Sequence, residues 1–66
     1  MNALQERLIA FLRDGIRTSE TIIDQYERGV ARFHVGNEDK TSEALARERA
    51  KVEEAKQLIA AWSSGL

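Results

Sequence analysis

The chain has no cysteine and no proline, a single histidine, and only two phenylalanines, one tyrosine and one tryptophan. Without cysteine there can be no disulfide and no thiolate metal site, and one histidine cannot build an imidazole-rich zinc centre. With no proline, 32% charged residues and many Ala, Glu, Arg, Leu and Lys, the composition fits an all-α chain. A long apolar run is also missing, and the N-terminal stretch is broken by Glu6, Arg7 and Arg13. Neither a membrane span nor a secretory signal is expected, so the chain is read as cytoplasmic. Its formal charge of -1 implies no general phosphate-binding field. The four glycines stand apart from one another, which leaves no phosphate-cradling or dinucleotide loop.

What is present is a seven-residue repeat. Ile9, Ile16, Ile23 and Val30 share one heptad position, Leu12, Ser19, Tyr26 and Phe33 a second, and Leu8, Gly15, Ile22 and Gly29 a third. This three-position face suits a helix in a bundle better than a strict two-stranded coil. Asn2 followed by Gln5 reads as a capping box, so helix 1 is expected over about residues 2–34. A break near Gly15 to Ser19, giving a three-helix bundle, is the alternative. The unbroken repeat phase argues against it.

His34-Val35-Gly36-Asn37-Glu38-Asp39 predicts a tight helix-helix turn over about 35–39, with Gly36 at the left-handed C-terminal position and Asn37, Asp39 or Thr41 as the next cap. Helix 2 follows over about 40–63, with Leu45, Val52 and Ile59 seven apart, Ala55 and Trp62 beside them, and Ser63-Ser64-Gly65 as its end. Residues 1–66 then form one domain, an antiparallel helical hairpin. In one register that this turn allows, Phe33 faces Leu45, Tyr26 faces Val52, Ile23 faces Ala55, Ser19 faces Ile59 and Ile16 faces Trp62, large against small nearly throughout. Glu48 falls on the inner stripe and needs an edge, the Tyr26 hydroxyl or a basic partner.

No set of side chains converges on catalysis. His34 is read as a helix C-terminal residue favoured by the dipole, and Ala31 stands where a di-iron Glu-x-x-His motif needs its glutamate. Glu53 and Glu54 are adjacent and diverge by about 100° on a helix. The hydroxyls of Thr18, Ser19, Thr21, Ser63 and Ser64 lack a histidine base. Neither an enzyme, a cofactor nor a small-molecule substrate is expected.

A chain below about 70 residues seldom stabilises a core alone. The expectation is a homodimer forming a four-helix bundle through Leu8, Ile9, Leu12, Ile16, Ile22, Ile23, Tyr26, Val30, Phe33, Leu45, Val52, Ile59 and Trp62. Leu4 and Phe11 fall outside that seam; packing in a wide core or against a second helix of the dimer is the favoured account, and docking of another protein the alternative. The reading is a small non-enzymatic intracellular interaction or regulatory module. Its alternative is a dimeric RNA-binding hairpin using Arg7, Arg13 and Arg17, with Lys51 and Lys56 across the hairpin and acidic neighbours interleaved.

Overall fold

The computed structural model of the protein describes residues 2–64. It is a helical hairpin in which α1 (Ala3–Glu27) and α2 (Thr41–Ser64) pack against each other, joined through the short antiparallel strands β1 (His34–Val35) and β2 (Glu38–Asp39). Gly65, read as part of the stop signal of α2, lies outside the described residues.

α1 begins where the capping box places it. The Asn2 side chain accepts from the Gln5 amide at 2.8 Å, and the Gln5 side chain accepts from the Asn2 amide at 3.0 Å, which satisfies two donors at the helix start. The helix runs unbroken through Gly15, so the three-helix alternative is not the fold. A glycine inside a helix costs about 1 kcal/mol, too little to break one that is packed along its length.

The end of α1 is earlier than residue 34. Arg28 is the C-cap and Gly29 takes the left-handed conformation at φ 74°. The Val30 amide donates to Gln25 and the Gly29 amide to Tyr26, the paired bonds of a Schellman motif. Gly29 is therefore the helix stop, not a small residue of the seam. Val30 and Phe33, read as the last rungs of the repeat, lie beyond the helix, and Val30 is 70% exposed.

Gly36 is left-handed as expected, at φ 62°, but it caps no helix. With Asn37 it forms a two-residue hairpin tip of type II′ pattern, in which His34 pairs with Asp39 and Val35 with Glu38. His34 consequently sits on a strand and feels no helix C-terminus. Buried Thr41 closes the base of this connection. Its hydroxyl accepts from the Phe33 amide at 3.0 Å and donates to the Asp39 carboxylate, which also takes the Thr41 amide at 2.9 Å. The N-cap position of α2 falls to Lys40, whose carbonyl accepts from the Ala44 amide, and of Asn37, Asp39 and Thr41 it is Asp39, one residue earlier, whose side chain takes a helix amide. These bonds hold the Asp39 carboxyl below its ordinary pKa.

The seam follows helical spacing on both sides. Ile9, Leu12, Ile16, Ser19, Ile22, Ile23 and Tyr26 of α1 turn toward Thr41, Ala44, Leu45, Glu48, Val52, Ala55, Ile59 and Trp62 of α2, all at least half-buried, with Ile9, Ala44 and Val52 the most enclosed apolar residues. The register differs from the one expected. Ser19 stands beside Glu48 and Val52, not Ile59, and Ile16 shares a groove with Val52 and Ala55, not Trp62. The cause is the early stop of α1: ending at Glu27 instead of residue 34 slides the partners of every α1 residue toward the start of α2. Glu27 itself meets Arg49 in an ion pair across the hairpin.

Candidate functional site

Built up along α1, a second stripe appears. Leu4, Leu8, Phe11, Gly15, Thr18 and Ile22 recur at alternating spacings of four and three, which places them on one face roughly 100° around the helix from the seam. Leu4 is 65% and Phe11 74% exposed, so α2 leaves most of this stripe uncovered, while half-buried Ile22 borders the seam. Sequence reading singled out Leu4 and Phe11. The heptad reading places Leu8, Gly15 and Ile22 on the broad face for helix packing or dimer formation and leaves Thr18 unassigned; the four-and-three spacing links all six.

Beside the stripe runs an open groove between the helices. Its deeper part, about 190 Å³, is lined by Phe11, Leu12, Gly15, Ile16, Ser19, Lys51, Val52 and Ala55 and is mainly apolar. It continues past Thr18 and Ile22, with Glu48 and Lys51 on the far wall. Nothing lies within 4 Å of where a Gly15 β-carbon would stand, so the groove is empty above that glycine. Phe11 projects at its edge.

Glu48 brings a carboxylate to that far wall. It uses a basic partner, as expected, with its carboxylate 3.2 Å from the Lys51 ammonium. The second partner is the Ser19 hydroxyl, not Tyr26. Ser19 is the main influence holding the Glu48 carboxyl below its ordinary value; desolvation opposes this, and Lys51 and Arg47 reinforce it. A serine on an otherwise apolar seam was the signal for this pairing.

The remaining candidates are dispersed. Arg7, Arg13 and Arg17 are exposed on the outer side of α1, where Glu6, Asp14, Glu20 and Asp24 are exposed as well. Lys51 is engaged with Glu48, and Lys56 is exposed. Among the described residues no group of three or more His, Asp or Glu could hold a metal ion, and no helix is long and apolar enough to cross a membrane. No protein-family model, curated protein or solved structure matches the chain.

Proposed function

We propose that the protein is a non-catalytic, intracellular interaction module, a regulator by contact, whose working surface is the Leu4–Ile22 stripe of α1 and the groove beside it. The observation that carries this reading is the exposure of Phe11 at the rim of an apolar groove, with exposed Leu4 further along the same face of α1. Large apolar side chains standing together in water mark a surface that another molecule covers. A groove between two helices accepts the apolar face of a further helix, with the stripe residues as its ridge.

The test separates docking from folding. Phe11 makes little of the hairpin seam, so Phe11→Asp keeps the helicity of the native chain by circular dichroism in dilute solution. It loses every complex that the native chain forms, whether with its own copies or with a co-purifying protein. A native chain that forms no complex of either kind, or a Phe11→Asp chain that keeps them all, overturns the proposal.

A further inference from the structure

We infer that the occupant of this face is a second copy of the chain, its α1 lying antiparallel to the first across a two-fold axis level with Arg13. The inference rests on reading the stripe as a docking face and names its partner.

The stripe is a palindrome. Reversing α1 about the level of Arg13 sets Leu4 against the partner copy's Ile22, Leu8 against its Thr18, and Phe11 against its Gly15. A two-fold interface must complement itself, each contact occurring twice. Here the most exposed aromatic side chain meets the glycine above which the groove is empty, once in each direction. Leucine against threonine repeats large against small in the next layer. Arg13 itself points to the opposite side of the helix, so its charge does not meet its own copy on the axis.

Area gives independent support. The hairpin measures 48 × 19 × 16 Å and exposes 5024 Å². A compact monomer of 7.5 kDa exposes about 4,250 Å², so the surplus is about 800 Å². A stable interface covers about 800 Å² on each partner. The angle between stripe and seam is also suitable: a helix docked roughly 100° from α2 turns the corner of a four-helix bundle, with the two α2 helices side by side above the two α1 helices.

The test uses the full chain. Sedimentation at micromolar concentration gives a dimer for the native protein, and Gly15→Leu weakens self-association at least tenfold by filling the space Phe11 would enter. Leucine favours the helix at an open position, so this variant stays folded where Phe11→Asp is a harsher change. The chain has no cysteine of its own. Mild oxidation of mixed Leu8→Cys and Thr18→Cys variants therefore joins unlike chains, and neither variant joins to itself. A native monomer, a Gly15→Leu dimer as tight as the native one, or like-with-like cross-links overturn the inference. A monomer that still holds another protein through Phe11 overturns only the identity of the occupant; a chain that binds neither overturns the docking reading as well.

Discussion

Ser19 and Glu48 are polar side chains that the seam takes in from opposite helices, and each explains the other's position. Ser19→Ala removes the hydroxyl that does most to hold Glu48 ionised, at a cost of about 1 kcal/mol, and the Glu48 carboxyl then titrates closer to its ordinary value. Chemical denaturation and side-chain NMR titration read the two effects separately. The sign of the pH dependence follows from the direction of the shift. Because folding lowers the Glu48 pKa, its contribution is complete above the unfolded value near 4.5 and disappears as the pH falls through the folded value. Asp39 acts in the same direction from 3.8. The urea midpoint should therefore decline on acidification from about pH 5 to about pH 3, and decline less in Glu48→Gln. An equally steep decline in that variant would show that other carboxylates govern acid stability.

The two glycines associated with α1 respond to substitution in opposite ways because their backbones differ. Gly29→Ala forces a side chain into the left-handed region and should destabilise the hairpin by about 1 kcal/mol. Gly15→Ala lies in helical backbone with open space around it and should stabilise the single hairpin by about 0.5 kcal/mol, measured by thermal melts at a concentration low enough to keep the chain monomeric. The start of α1 was legible from Asn2 and Gln5, since a capping box is local chemistry. Its end was hidden because Val30 and Phe33 continue the heptad phase by coincidence while serving the connection. The Arg28-Gly29-Val30 stop was present, and Gly36-Asn37 is a hairpin dipeptide, but periodicity outweighed both. The pairing register could not survive that error, because it is measured from where the first helix ends.

For the molecule as a whole, the all-α hairpin was legible from the two amphipathic patterns and the intervening glycine, whereas the groove depends on the register and emerged only with the fold. The proposed self-association would tie stability to concentration, so the melting temperature should rise as the native chain is concentrated and stay nearly constant for Gly15→Leu. Charge points the other way for nucleic acid. With acidic residues interspersed around Arg7, Arg13 and Arg17, mixing the protein with RNA at low salt should give no mobility shift; a shift abolished by Arg13→Glu or Arg17→Glu would instead favour the basic-surface reading. The Thr41 clasp has one more consequence. It fastens the connection at its base, so the Gly36-Asn37 tip carries little of the structural load and lies at the closed end, away from the level of Arg13. Lengthening a closed loop adds only about 0.6 kcal/mol per doubling. The tip is thus a natural insertion port, where a peptide epitope or a fluorescent reporter can be spliced into the protein and both helices left to find each other as before.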